Sequence, residues 1–90
     1  MASKSFIGAA DLGTAEAVSL TEDAGHAVDV YNIQNTGSVD AEIYVMLQGA
    51  DDHGRLDGVV PAGEVRVLDG LRRVQSFKVL GVGAMGVITA

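Results

Sequence analysis

The stretch SVDAEIYVMLQ, residues 38–48, decides the fold class of this chain. Apolar residues occupy every second position of it, namely Val39, Ala41, Ile43, Val45 and Leu47. The positions between them are mostly polar. Successive side chains of a β-strand point to opposite sides, so this alternation predicts a strand with one apolar and one polar face. A helix would spread the same apolar residues around its whole circumference.

The residues before this strand predict a second one. Residues 26–34, HAVDVYNIQ, are rich in β-forming side chains, with Tyr31 and Ile33 on one face. The segment Asn35-Thr36-Gly37-Ser38 separates the two runs, and Asn and Gly both tolerate turn conformations. A short polar break between two β-rich runs predicts a hairpin.

Short strands joined by glycine-containing turns account for most of the remaining chain. The predicted strands are residues 5–7, 15–20, 64–68, 74–80 and 82–90, with turns at 61–64 and at Asp69-Gly70. Residues 9–18 are alanine-rich and are also compatible with a helical turn. The sum is about seven short strands, which predicts an all-β, antiparallel sandwich or small barrel. We expect residues 1–13 to be a flexible N-terminal arm and residues 14–90 to be a single β-domain.

The composition excludes several classes of protein. The 90 residues contain no Cys, which excludes disulfides and thiolate metal sites. No stretch has the length of a membrane span, and the first residues do not resemble a secretory signal. A net charge of −6 without a basic cluster argues against direct nucleic-acid binding. A small chain with 12 glycines and few large apolar residues predicts stabilisation by oligomerisation or docking.

Two motifs resemble chemical sites but fail on inspection. Residues 81–86, GVGAMG, match the G-x-G-x-x-G dinucleotide pattern, but a β-branched segment follows where that site needs a helix. The polar loop of residues 51–58, DDHGRLDG, lacks the spacing of a calcium loop. His26 and His53 have no partner at ligand or dyad spacing. We therefore predict no catalytic residue, no metal site and no cofactor.

Charge is distributed unevenly along the chain. Residues 1–54 carry nine acids and one base, a net −8, whereas residues 55–90 carry three acids and five bases, a net +2. Such asymmetry favours contacts between a basic side of one copy and an acidic side of a neighbour, unless folding mixes the two segments. The candidate interface residues are Arg66, Arg72 and Arg73, together with Phe6 and Ile7 as an anchor in the N-terminal arm.

Two segments carry a resemblance to a known family. These are residues 30–37, VYNIQNTG, and residues 60–68, VPAGEVRVL, followed by Gly70-Leu71. Together they resemble small virion proteins of tailed bacteriophages, in particular capsid decoration (cement) proteins, over roughly residues 26–90. No residue-level binding motif of that family is transferred.

The resemblance implies a non-enzymatic protein that binds the outer capsid lattice and bridges subunits of the major capsid protein. It also implies a homo-oligomer, trimer or dimer, made in the host cytoplasm and placed on the capsid exterior. Two alternatives stay open. One is another virion subunit, such as a head fibre base or a tail-associated protein. The other is a small carbohydrate-binding module, for which Tyr31 and Tyr44 are the candidate stacking residues.

Overall fold

Two antiparallel sheets of four strands form the fold, which confirms the predicted all-β sandwich. The computed structural model describes residues 3–19 and 28–89, and for residues 28–30 and 69–73 only the backbone. The described strands are β1 (Ser3–Ile7), β2 (Val18–Ser19), β3 (Val28–Asn35), β4 (Ala41–Leu47), β5 (Arg55–Val60), β6 (Val65–Leu80) and β7 (Met85–Thr89). Strand β6 is long enough to belong to both sheets, so each sheet has four strands.

The first sheet has the order β1-β7-β3-β6 and uses the N-terminal part of β6. The second sheet has the order β2-β6-β4-β5 and uses the C-terminal part, with β2 pairing at Phe77 and Ser76. In both sheets, strands from the acidic segment, residues 1–54, alternate with strands from the basic segment, residues 55–90. Folding therefore mixes the two segments, which is the alternative stated above for the uneven charge.

The core lies between the two sheets and confirms the alternation predicted for residues 38–48 within β4, whereas Val39 precedes that strand and is exposed. Ala41, Ile43 and Val45 are fully buried, and Leu47 packs against the same cluster. The rings of Tyr31 in the first sheet and Phe77 in the second meet edge to face, with centroids 4.5 Å apart. Aromatic pairs in this geometry contribute beyond the area that they bury, so this contact joins the two sheets at the centre.

The predicted hairpin between residues 26–34 and 38–48 is wrong. Strand β3 pairs with β6 and β7, whereas β4 pairs with β5 and β6. The segment 36–40 is therefore a crossing between the sheets. It does turn where the sequence predicts, but the turn is held by Asn35, a buried side chain that satisfies groups on both sides of the crossing.

The predicted turn at Asp69-Gly70 is also wrong, because β6 runs without interruption from Val65 to Leu80. Between the pairs Val28↔Val74 and Val30↔Asp69, β3 advances two residues while β6 advances five. The extra residues of β6 form an irregularity in the ladder. Such bulges bend and twist a strand, which lets one strand pass from the first sheet to the second.

The predicted N-terminal arm, residues 1–13, needs correction in its described part. Residues Ser3–Ile7 pair with β7 along five positions and form an edge strand of the first sheet. Phe6 lies in the core and is 4% exposed. After this strand, the amide of Ala15 donates to the carbonyl of Asp11, which makes the single helical turn that the alanine-rich segment allows.

The glycines of the G-x-G-x-x-G sequence serve close packing between strands. No helix follows them, since Met85–Thr89 is the strand β7. A Cβ on Gly86 would lie 1.8 Å from the carbonyl oxygen of Gln34 on the neighbouring strand β3. That approach excludes any side chain at this position, and it explains the glycine without a nucleotide.

Candidate interaction surface

Among the side chains that the structure describes, those on the outer face of the first sheet are apolar or polar but carry no ionisable group. Ten outward side chains form this surface, which we call the uncharged face: Ser3, Ser5, Ile7, Asn32, Gln34, Val65, Val67, Met85, Val87 and Thr89. They alternate along their strands with core residues such as Phe6, Ile33 and Ile88. The face therefore follows directly from the register of four strands.

The register aligns the uncharged face in rows across the sheet. One row is Ser5, Val87, Gln34 and Val65, and the next is Ser3, Thr89, Asn32 and Val67. A third, shorter row pairs Ile7 with Met85. The amides of Asn32 and Gln34 thus stand in the middle of the face, with aliphatic side chains on both flanks.

Large apolar side chains on this face are well exposed. Ile7 is 77% exposed, Val67 67%, Val65 56% and Met85 50%. A shallow groove of about 360 Å³ runs over the middle of the face between Val65 and Val87. Several large exposed apolar side chains on one face of a small domain indicate a site that another surface covers.

The candidate interface residues from the sequence have different positions in the structure. Ile7 lies on the uncharged face. Phe6 is a core residue, so its predicted role as an interface anchor is wrong: neighbouring residues of a strand point to opposite sides. Arg66 lies beside the face, with its Nη2 3.1 Å from Oε1 of Glu64. The side chains of Arg72 and Arg73 lie outside the described residues, so their predicted role stays a prediction.

Sequence reasoning missed most of the uncharged face. Val65 and Val67 share one side of the predicted strand 64–68, and the structure shows that this side is the outer one. Asn32 and Gln34 carried no motif at all. The available signal was the alternation in residues 30–37, which puts Asn32 and Gln34 opposite to Tyr31 and Ile33.

The outer face of the second sheet is different, because it carries charged and titratable side chains. Nε2 of His53 lies 2.6 Å from Oγ of Ser76, and Nζ of Lys78 donates to the carbonyl of Leu12 over 2.9 Å. The Tyr44 hydroxyl donates to Glu42, and this bond raises the pKa of the Tyr44 phenol. These contacts tie the loop after β4 and the turn after β1 to the sheet.

The contact between His53 and Ser76 was not predicted, because 23 residues separate the two positions. It has the reach of a nucleophile and its base. Ser76, however, is only 6% exposed and sits within β6, which leaves little room for a substrate. Burial is the main cause that lowers the pKa of His53, followed by the charge of Lys78, while Asp52 opposes both. The imidazole and the Ser76 hydroxyl share a hydrogen bond, and the pair anchors the loop.

This contact predicts a pH-dependent contribution to stability. Since the pKa of His53 is lower in the folded state, the unfolded chain binds the proton more readily, and stability falls as the pH drops through about 6.5. The free energy of unfolding, measured by urea titration between about pH 7.5 and 5.5, should decrease more steeply for the wild type than for His53→Gln. The difference will be modest, because His53 is partly exposed. Equal slopes for the two proteins would contradict the assignment.

A carboxylate of the edge strand reaches into the sandwich. Asp57 is the extra residue of a bulge in β5, between the pairs Ile43↔Gly58 and Tyr44↔Leu56. The Tyr31 hydroxyl donates to its Oδ2. Burial, then this hydrogen bond and the charge of Asp57, raise the pKa of Tyr31 well above its ordinary value. The pair is a structural contact, and an inward charge on an edge strand discourages pairing with another chain.

The other candidate sites support no assignment of a metal or a ligand. No cluster of three metal-ligating side chains occurs among residues 3–19 and 28–89. In the polar loop, the Asp52 carboxylate accepts the amide of Gly54, a local turn contact. A cleft of about 430 Å³ opens between β1 and β2, lined by residues 4–7 and 16–19. The chain continues from this cleft into residues outside the described part, so we assign no ligand to it.

In the part of the chain that the structure describes, no helix has the length and hydropathy of a membrane span. Comparisons with protein-family models, with curated proteins and with solved structures found no match to this chain.

Proposed function

We propose that this chain is a non-enzymatic structural protein of a virion. In this role it binds the outside of the capsid lattice and stabilises the shell by bridging neighbouring subunits of the major capsid protein. The observation that supports it best is the uncharged face of this 90-residue chain. Its exposed apolar side chains indicate a surface that is buried in an assembly. The resemblance of residues 30–37 and 60–68 to capsid decoration proteins supplies the virion context.

The fold suits a protein that acts by binding many times at a modest interface. The uncharged face lies on paired strands above a core that includes Tyr31, Ile33 and Ile88, each 1% exposed or less. Rigid strands lose little conformational freedom on binding, so less of the interaction energy is spent on ordering. A protein that binds only the assembled shell then stabilises that shell by mass action.

The alternative of a carbohydrate-binding module receives less support. Sugar platforms stack on exposed aromatic rings. Tyr31, one of the two candidate stacking residues, is 1% exposed and packs against Phe77. Tyr44 is half-buried and lies among the charged groups of the second sheet.

The test of this proposal is the location of the chain in virus particles. Virions released by cells that encode the chain are purified, and heads and tails are separated and analysed by mass spectrometry. The chain should occur in heads at a fixed ratio to the major capsid protein, and external antibody should label it. Heads stripped of the chain should take up recombinant protein, whereas free capsid subunits should not.

Two results would overturn the proposal. Recovery in tails alone would assign the chain to another virion subunit, and absence from purified virions would remove the virion role altogether. An unrelated acidic protein of similar size serves as the control for non-specific adsorption to heads.

A further inference from the structure

We propose that the uncharged face binds a second copy of this chain, so that two sandwiches pack face to face through their first sheets. The inference goes beyond the proposed function, because it assigns this face to the contact between copies and leaves contact with the capsid to the remaining surface. It commits to a two-fold, isologous contact, in which the same residues of both copies meet.

The chemistry of the face is self-complementary. Asn32 and Gln34 stand in its centre, and each amide carries both hydrogen-bond donors and acceptors. The amides of two copies related by a two-fold axis can therefore form hydrogen bonds with one another there. A face centred on carboxylates or on amines alone would oppose like groups across such an axis.

The charge of the chain favours the same arrangement. Each copy carries a net −6, so most approaches of two copies bring acidic groups together. The ten side chains of the uncharged face have no ionisable group, and the Arg66 guanidinium beside the face is paired with Glu64. Contact through this face therefore minimises repulsion between copies.

The shape of the face also fits sheet-on-sheet packing. Packed sheets lie about 10 Å apart, with side chains of both faces interdigitating. The shallow groove between Val65 and Val87, of about 360 Å³, is a recess into which side chains of the facing copy can enter. Val67, which projects from the adjoining row, is a side chain of suitable size.

The dimensions predict a weak dimer. Four strands about 4.8 Å apart and five residues with a rise of about 3.4 Å each give a face of roughly 300 Å² in projection. Specific interfaces bury about 800 Å² per partner, so this contact is smaller than a standard one and forms only at high protein concentration. On a particle surface, binding of both copies to one lattice raises their effective concentration and favours the same contact.

Single-cysteine cross-linking provides the sharpest test, because the chain has no cysteine of its own. Gln34→Cys introduces one thiol at the centre of the face, close to the expected two-fold axis. Val82→Cys is the matched control, since Val82 is 70% exposed but lies in the turn before β7, outside the face. With a short bis-maleimide, Gln34→Cys should give a covalent dimer at least about tenfold faster than Val82→Cys.

Sedimentation equilibrium gives an independent measurement. The wild type should shift from monomer to dimer as its concentration rises, and Val67→Lys should weaken that dimer by about tenfold or more, because each lysine would be buried in the groove of the facing copy without a partner charge. Val82→Lys, with the same change of charge, should match the wild type. Far-UV circular dichroism confirms that both variants fold.

A wild type that stays monomeric at every concentration would overturn the inference. Equal cross-linking of Gln34→Cys and Val82→Cys would overturn it too, because dimers would then form elsewhere or at random. Either outcome leaves the virion location untouched, since that is measured on particles. A dimer in solution together with absence from virions would instead sink the proposed function and leave the dimer standing.

Discussion

Replacing Asn35 by aspartate is expected to lower the free energy of unfolding by about 3–5 kcal/mol, a large part of the stability of a domain this size. Asn35 is fully buried at the end of β3. Its Nδ2 donates to the carbonyls of Val39 over 2.8 Å and of Val60 over 3.0 Å, and its Oδ1 accepts the amide of Gly37 over 3.0 Å. The side chain thus ties β3, the crossing segment and β5 together.

Aspartate has nearly the same shape but the opposite hydrogen-bonding capacity at one atom. A carboxylate oxygen would replace the Nδ2 amino group and face two carbonyl oxygens, Val39 and Val60, without a proton to donate. The two carbonyls would lose their donor, and a charge would be buried among acceptors, which is more costly than either loss alone.

The matched control for this prediction is Asn32→Asp on the same strand. It adds the same charge, but Asn32 is exposed on the uncharged face, so its unfolding free energy should change by no more than about 0.5 kcal/mol. Urea titration at pH 7 measures both variants. Similar values for the two substitutions would mean that Asn35 does not hold the crossing between the sheets.

Phe6→Ala is expected to lower the free energy of unfolding by about 3–5 kcal/mol. The Phe6 side chain is 4% exposed and belongs to the hydrophobic core, although it comes from an edge strand near the chain terminus. Truncation leaves a cavity between the sheets and removes the main apolar contact that holds β1 on β7. We expect the larger loss of amide protection to occur in β1 itself.

The neighbouring residue provides the control. Ile7→Ala changes a side chain that is 77% exposed on the opposite side of the same strand, so it should cost less than about 0.5 kcal/mol. Thermal and urea unfolding compare the two variants. If residues 1–13 were an arm independent of the domain, both substitutions would leave stability unchanged, and that outcome would contradict the strand assignment.

The two predictions are linked to function through the first sheet. Strand β1 supplies Ser3, Ser5 and Ile7 to the uncharged face while Phe6 fixes the strand from below. Loss of that anchor should also weaken self-association, whereas Asn32→Asp should weaken self-association without affecting stability. Asn32→Asp therefore separates the face from the core, because it should change self-association alone.

Local pattern in the sequence was sufficient for the strands themselves. The alternation of Ala41, Ile43 and Val45 has a period of two, and burial follows it position by position. The failure of the G-x-G-x-x-G motif was likewise readable, because the β-branched residues after Gly86 prefer a strand. These features depend on residues close together in the chain, and a single sequence shows such local relations directly.

Part of the candidate surface was within reach of the same reasoning. Val65 and Val67 share one side of their strand, and Ile7 was named as a contact residue. The alternation does not tell which of the two sides of the strand faces the core. Val65 and Val67 look like core residues, but they are 56% and 67% exposed, and Leu68 packs against the core instead. Burial of a given side depends on which strands lie next to it.

Only the tertiary structure decided how the strands pair. The sequence places β3 and β4 in one hairpin, whereas they lie in different sheets, and Asn35 holds the crossing. The sequence also predicts a turn at Asp69-Gly70, whereas β6 is one continuous strand that belongs to both sheets. Turn-forming residues specify where the chain can change direction, but the pairing is set by packing among residues far apart in sequence, such as Tyr31 with Phe77. The uncharged face is a product of that long-range register, so the sequence determined its residues and the fold brought them together.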